Sequence, residues 1–271
     1  MKPYLPEMTN AGVRPTHTVS VIDETGEAKE VEIAGELPLT ILVDGYEIVT
    51  LMTLGTHPEQ LALGYLRNQR LITELETIKS VRVDWETESV YIETKAGNGG
   101  QLQEKLTRRT ITTGCAQGTI FSCTIDGLYE TQLSPMTLRQ SQVARLMKSI
   151  AQYNDIYKAA GAVHGCALCS TEAVEIFVED VGRHNAADTI AGKMWLDRIP
   201  GRNKIFYSTG RLTSEIVMKA ALMEIPAIIS RSGITHMGLN LSQDLGMIMI
   251  ARLKGVKFFI YNGQEHFIHD L

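Results

Sequence analysis

The sequence predicts an α/β protein with a smaller, β-rich N-terminal α+β region, and three observations carry that expectation. From Ala173 onward strand-like and helix-like segments alternate, which implies βαβ units and a mostly parallel sheet covered by helices. Before residue 110, short β-like runs separated by turn residues predominate. Hydrophobic residues make up 44% and charged residues 21% of 271 residues, ordinary values for a soluble globular chain of one large or two small domains.

Taken in order, residues 1–20 are rich in Pro, Thr and Asn and read as a flexible arm. Residues 21–110 form the expected N-terminal domain. Val19 to Ile22 and Glu30 to Ala34 flank a turn at Glu24-Thr25-Gly26. Leu39 to Val43 and Tyr46 to Thr50 flank Asp44-Gly45, a strong two-residue hairpin signal. A short helix begins near Thr56 and carries Leu61, Leu63, Tyr65 and Leu66. Ser80 to Asp84 and Ser89 to Thr94 are two more strands, and Ala96 to Gly100 is a flexible tip.

Residues 111–271 form the expected α/β domain. Its first helix runs from about Leu138 to Tyr153, with Thr137 and Gln140 at capping-box spacing. Strands follow at Ala173 to Glu179, Lys204 to Ser208, Pro226 to Ser230 and Met247 to Arg252. They alternate with helices at His184 to Leu196, Thr213 to Glu224 and Thr235 to Leu245. Gly246 is the expected helix C-cap. Lys257 to Tyr261 closes the sheet after the turn Lys254-Gly255-Val256.

The balance of 26 Lys plus Arg against 31 Asp plus Glu gives a net charge of −5, which argues against a general nucleic-acid binder. Leu245 to Ala251, the longest apolar stretch near the C-terminus, is seven residues; a membrane span needs about 20. The N-terminal residues lack the apolar core of a signal peptide. A cytoplasmic setting is therefore expected, with the four cysteines Cys115, Cys123, Cys166 and Cys169 as thiols, ligands or reactive groups rather than a disulfide frame.

Ligands of open α/β sheets bind outside the carboxyl ends of the strands. Three such ends run into Asp180-Val181-Gly182-Arg183-His184-Asn185, Ser208-Thr209-Gly210-Arg211 and Ser230-Arg231-Ser232-Gly233. Each loop holds Gly and Arg and precedes a helix N-terminus, where free N–H groups and the helix dipole favour an anion. Three in succession point to a phosphorylated or nucleotide-like ligand. The alternative for each arginine is a helix cap or a surface ion pair. Asp180 and Asp188 lie near this edge as acceptors for a base or ribose, and Lys254 and Lys257 flank the last turn as further phosphate contacts.

Cys115 lies in Thr112-Thr113-Gly114-Cys115-Ala116-Gln117-Gly118, after Arg108-Arg109. A thiol in a small-residue loop near cations is placed to act as a nucleophile; the alternative is an ordinary loop cysteine. Cys166 and Cys169 form a C-x-x-C two residues after His164. That spacing fits zinc or two small buried hydrophobes. The zinc-deaminase pattern fails here, because Gly165-Cys166 follows His164 where that pattern needs a nearby Glu, and no Pro precedes Cys166. His164 and His184 are each a proton carrier or a satisfied core imidazole.

Glu179-Asp180-Val181-Gly182-Arg183-His184-Asn185-Ala186-Ala187-Asp188 closely resembles the E-D-V-G-R-H-N-A-x-D hallmark of the formate dehydrogenase accessory sulfurtransferases, the FdhD family. Gly161-Ala162-Val163-His164, Thr209-Gly210-Arg211 with Glu215 and Lys219, Ile225-Pro226, Leu245-Gly246, Glu36-Leu37-Pro38-Leu39 and Leu61 to Leu66 resemble further blocks of that family in the same order, over about residues 30 to 262. The resemblance implies a C-terminal domain of cytidine-deaminase-like three-layer α/β/α fold, without that fold's zinc site, and a homodimer. It implies a sulfur carrier: Cys115 receives sulfane sulfur from a cysteine desulfurase as a persulfide. It then passes that sulfur to the molybdenum or tungsten cofactor, Mo-bis(molybdopterin guanine dinucleotide), for formate dehydrogenase. It implies cofactor contacts at Arg183, His184, Asn185, Asp188, Gly210 and Arg211, and along Arg252, Leu253, Lys254, Gly255, Val256 and Lys257. No metal of the protein's own, no nucleic acid and no membrane are expected.

The chain departs from the family pattern at several points. Cys115-Ala116-Gln117-Gly118-Thr119 stands where many members have C-G-x-C-G, so Gly118 replaces a second cysteine, for which Cys123 is a possible substitute. Thr189 follows Asp188 where Lys is usual, Ile234 replaces a Pro, and Lys254-Gly255-Val256-Lys257 replaces R-G-G-R, losing arginine's bidentate geometry. Two rival readings remain: a cofactor-binding chaperone that moves no sulfur, and a zinc-dependent hydrolase or deaminase built on His164, Cys166 and Cys169.

Overall fold

A computed structural model describes residues 4–97, 99, 128, 131 and 133–271. Strands β4 (Leu37–Val43) and β5 (Tyr46–Thr53) form the expected hairpin. Asp44 and Gly45 both take positive φ, 49° and 84°, the backbone that a two-residue turn between right-twisted strands requires. The Asp44 carboxylate accepts from the Thr94 N–H (2.8 Å), the Thr94 hydroxyl (2.7 Å) and the Gly99 N–H (3.0 Å). This fixes the turn to the end of β7 (Ser89–Thr94), which pairs antiparallel with β6 (Ile78–Asp84). With β1 (Glu7–Met8) the sheet order is β1-β6-β7-β4-β5. Alternate residues Leu39, Ile41 and Val43 are fully buried, the period-two pattern of a half-covered strand. They pack with Leu61 and Leu66 of α1 (Pro58–Asn68), which starts on a proline at its first turn.

The expected flexible arm is instead tied down. Glu7 and Met8 pair in parallel with Ser80 and Val81, and the Thr9 hydroxyl and Ala11 N–H both donate to the buried Glu59 carboxylate at 2.7 Å. Polar composition signalled a loop, but these donors have partners on a sheet edge and a helix start. From Thr16 the chain enters β2 (Thr16–Ile22), which pairs with β3 (Ala28–Ala34) as a two-stranded ribbon. The expected domain boundary near residue 110 and most of the Ala96 to Gly100 tip lie outside the described residues.

The second sheet has the order β10-β9-β11-β12-β13-β14. Its strands are β9 (His164–Cys169), β10 (Val174–Asp180), β11 (Ile205–Ser208), β12 (Ala227–Ser230), β13 (Ile248–Lys254) and β14 (Lys257–Asn262). Only β11-β12 and β12-β13 pair in parallel; β9 is antiparallel to both its neighbours, and β14 to β13. The sheet is thus mixed, not mostly parallel. The reason is β9, a strand buried on both faces, whose Gly-Cys-Ala-Leu-Cys run shows no alternation in sequence. Two antiparallel steps across β9 leave β10 running the same way as β11, β12 and β13, so the four carboxyl ends still share one edge.

Residues of opposite parity face opposite layers. Cys166, Leu168, Phe206, Ile228 and Met249 pack against α4 (Arg183–Leu196) and α5 (Ser214–Leu222), with α6 (His236–Asp244) beside them. Ala167, Cys169, Tyr207, Ile229 and Ile250 pack against α2 (Gln140–Ile150). The architecture is the expected three-layer α/β/α. The capping box falls two residues later than expected: Leu138–Arg139 form β8, paired with β15 (Phe267–Ile268), and the Arg139 N–H donates to Gln142 Oε1 at 2.9 Å. The short helix α3 (Asp155–Ala160) was not expected; the Glu179 carboxylate accepts from its Ile156 and Tyr157 N–H groups.

The two regions join through α1 and α4, whose backbones touch at two glycines. A Cβ on Gly64 would lie 1.7 Å from the Asp188 carbonyl oxygen, and one on Gly192 1.9 Å from the Gln60 carbonyl oxygen. No helix among the described residues is long and apolar enough to cross a membrane.

Candidate functional site

Two of the three Gly/Arg loops expected at strand ends, residues 208–211 and 230–233, are bonded to each other and to β9 and β13 on the shared edge of the second sheet. The Thr209 N–H donates to the Gly165 carbonyl (2.9 Å), the Ser230 hydroxyl to the Gly210 carbonyl (2.7 Å), the Arg231 N–H to the Ser208 carbonyl (3.3 Å) and the Arg252 N–H to the Ser232 carbonyl (2.9 Å). Ser208 and Ser230, each the last residue of its strand, accept from the N–H two residues on, at 3.1 and 2.9 Å. The loops are thereby folded back and their side chains set over the sheet edge.

A cavity of about 410 Å³ opens there, lined by His164, Thr209, Arg231, Ser232 and Lys254. A second, of about 810 Å³, shares Arg231 and Lys254 with it and extends over Tyr157, Tyr207, Met147 and Lys148. The first suits an anionic group and the second an apolar, flat one flanked by cations. A third cavity, about 530 Å³, lies across the final turn between Arg252, Lys257 and Phe259. In that turn Arg252 has a left-handed backbone (φ 56°) and its guanidinium stands 5.5 Å from the Phe259 ring. Lys254, Gly255, Val256 and Lys257 are exposed, whereas Leu253 is buried in the core beneath them.

The hallmark residues at the start of α4 sit deeper. Arg183 is buried, its stem lying across Gly210, where a Cβ would come within 2.6 Å of Arg183 Cδ. Only glycine leaves that path open. Asn185 Nδ2 donates to the Met52 carbonyl (2.6 Å) and to Asp180 Oδ1 (2.9 Å). Asp180 also accepts from the Thr53 hydroxyl and the Leu54 and Gly182 N–H groups. Asp188 accepts from Lys219 Nζ (2.6 Å) and Asn68 Nδ2 (2.7 Å). The carboxylates of Asp180 and Asp188, expected as acceptors for a base or ribose, are therefore engaged inside the protein. Like Asn185, they bind the N-terminal region to α4, and burial pushes both carboxyls above their ordinary values.

His184 Nε2 lies 3.6 Å from Glu215 Oε2. Burial, then the charges of Lys219, Arg183 and Arg211 with the His164 imidazole, hold His184 far below its usual range, so it is neutral. His164 is lowered too, first by burial and then by Arg183 and Arg211. Arg211, exposed, thus belongs to the same positive edge. Tyr157 and Asn154 escaped sequence reasoning because α3 carries no apolar stripe; Thr209 and Ser232 sit beside the flagged arginines and gave no separate signal.

Cys115 and Cys123 lie outside the described residues. Cys166 and Cys169 are three residues apart on one strand, so they face opposite sides of the sheet and belong to different cores. They cannot hold one ion with His164, which removes the basis of the zinc-hydrolase reading. Burial pushes both thiols up to about 12, so they are inert neutral groups.

The profile of the FdhD/NarQ family matches residues 34–268. The chain is 32% identical over 235 residues to the sulfur carrier protein FdhD of Bacillus pumilus, covering 86% of this chain and 89% of that one. It is 30% identical over 246 residues to the protein of the same name from Bacillus subtilis, covering 89% and 93%. Its fold is similar to a crystal structure of a candidate formate dehydrogenase accessory protein from Desulfotalea psychrophila, with a TM-score of 0.73 at 24% identity over 93% of this chain and 98% of that one. By the extent of these matches, this chain belongs to the FdhD/NarQ family.

Proposed function

We propose that this chain is a sulfur carrier for formate dehydrogenase, with Cys115 as the carrying thiol and the positive sheet edge as the seat of the molybdenum cofactor. The observation that carries the reading is the joining of two Gly/Arg strand ends, 208–211 and 230–233, beside two adjoining cavities lined by Arg231 and Lys254. Family membership adds the names of its relatives. The Cys115 thiolate attacks the terminal sulfur of a desulfurase persulfide; the donor's S–S bond breaks, the donor thiolate leaves, and Cys115 holds the persulfide. Delivery breaks the new S–S bond and restores the Cys115 thiolate, the two electrons needed coming from the reduced metal of the substrate or from an added thiol. Arg231, Lys254 and His164 hold a phosphate, and Tyr157 and Tyr207 with Met147 receive a guanine. Cysteine desulfurase and formate dehydrogenase are the partners, and the carrier works as a homodimer.

Complementation tests the reading. In cells lacking their own carrier, Cys115→Ala abolishes formate dehydrogenase activity, whereas Cys166→Ala retains it. Activity retained by Cys115→Ala contradicts sulfur carriage and leaves the cofactor-chaperone reading, which the replacement of the second loop cysteine by Gly118 favours.

A further inference from the structure

A cavity of about 250 Å³ opens between the two regions on the other edge of the second sheet, where β11 and β12 begin. Leu75, Met194, Ile199 and Met223 give it apolar walls, and Arg67 of α1 and Trp195 of α4 face it from the helix crossing. Its floor is held by backbone. A Cβ on Gly201 would lie 1.7 Å from the Met223 carbonyl oxygen, and the Ile199 N–H donates to the Met194 carbonyl at 2.9 Å. A preformed apolar concavity with a few charged groups is the ordinary form of a small-ligand site.

The charges around it do not balance. Arg198 bonds Glu76 at 2.7 Å, and Arg202 stands 3.7 Å from Glu224. Arg67, half-buried, donates from Nη1 to the Ala191 carbonyl at 3.1 Å, and its guanidinium carbon stands 5.9 Å from the Trp195 ring centre. Among the described residues no carboxylate lies within 4 Å of it, and Glu224 acts on it only through space. Burial pulls this guanidinium below its ordinary pKa, so no ion pair makes good its lost hydration. Arg67, Arg198 and Arg202 against Glu76 and Glu224 leave one positive charge.

We propose that this cavity binds a short-chain monocarboxylate, the carboxylate paired with Arg67 and the hydrocarbon tail against Leu75, Met194, Ile199 and Met223. The planar fork of a guanidinium matches a carboxylate, and one surplus positive charge matches one negative charge. A phosphate dianion would face Glu76 and Glu224 with a charge too many. An amino acid would bring an ammonium group, for which both glutamates, already facing arginines, offer no free acceptor. Arg67 bonds α4 one residue before Gly192, so an occupied cavity also braces the crossing of α1 and α4. The inference is independent of the sulfur-carrier reading.

Sodium butanoate tests the site. Added to the whole chain, it is expected to change tryptophan fluorescence saturably in the millimolar range and to raise Tm by mass action. Trp85→Phe, which leaves Trp195 as the only tryptophan, keeps the fluorescence change. Butanamide, 2-aminobutanoate and phosphate, at matched ionic strength, are expected to bind at least about tenfold more weakly, and Arg67→Gln to lose at least about tenfold in butanoate affinity. No saturable response, an equal response to butanamide, tighter binding of phosphate or 2-aminobutanoate, or unchanged affinity in folded Arg67→Gln overturns the proposal. Should Arg67→Gln fail to fold, the ligand series on the unaltered chain decides. Cys115→Ala is expected to bind butanoate equally well, so failure here leaves sulfur carriage standing, and failure of Cys115 to carry sulfur leaves this site standing.

Discussion

Gly210 and Arg183 act as one unit. The arginine stem crosses the position a Cβ would take, so Gly210→Ala must displace a buried guanidinium at a cost of about 1–3 kcal/mol. The expected outcome is a modest fall in Tm together with a clear loss of affinity for guanosine diphosphate, measured by calorimetry; unchanged affinity would separate Arg183 from the cradle. Histidines set the acid limit. His57, His164 and His184 all have folded pKa values lowered mainly by burial, His57 to about 4. Between about 4 and the unfolded value near 6.5 the unfolded chain binds more protons, so stability falls as pH drops through that window. Thermal melts from pH 7.5 to 5 are expected to show a decreasing Tm, and a flat profile contradicts these burials. The arginines and the hallmark were legible at this scale, but their division of labour was not. Sequence spacing places Asn185 and Asp188 beside the edge, while only packing shows their polar atoms turned inward to Met52, Asn68 and Lys219.

The α1–α4 crossing is what turns two regions into one scaffold. Gly64 and Gly192 let the helix backbones meet, and Gly64→Ala sets a methyl 1.7 Å from a carbonyl oxygen that no side-chain motion can clear. Such overpacking is expected to cost about 3 kcal/mol or more. Urea denaturation should show the midpoint falling, and an unchanged midpoint refutes the close crossing. Nothing in a linear reading distinguishes these glycines from others, because their partner lies more than 100 residues away. Turns were legible for the opposite reason: Asp44-Gly45 encodes its own positive φ values. The strands with helices between them were read correctly for the same local reason. Strand β9 was missed because burial on both faces erases the alternation that marks a strand, and α3 because its six residues include none that is buried.

At the scale of the molecule, the mixed sheet still delivers what a parallel one would. Strands β10 to β13 end on one edge, the loops bearing Arg211 and Arg231 are bonded together there with the Arg183 stem crossing Gly210, and the N-terminal region holds the end of β10 and α4 from behind: Thr53 of β5 donates to Asp180, Asn68 of α1 to Asp188, and Asn185 to the Met52 carbonyl. A net charge of −5 leaves this edge as a local positive seat on an acidic protein, suited to a ligand with several phosphates rather than to a polymer of them. The central claim is that this scaffold serves a thiol that carries sulfur. Its most direct test is the mass of the intact protein after incubation with a cysteine desulfurase and cysteine. The account predicts a gain of about 32 Da, mapped to Cys115, reversed by dithiothreitol and absent from Cys115→Ala, as expected of a persulfide on a reactive thiolate. A mass that stays unchanged, or a gain that maps to another cysteine and persists in Cys115→Ala, contradicts it.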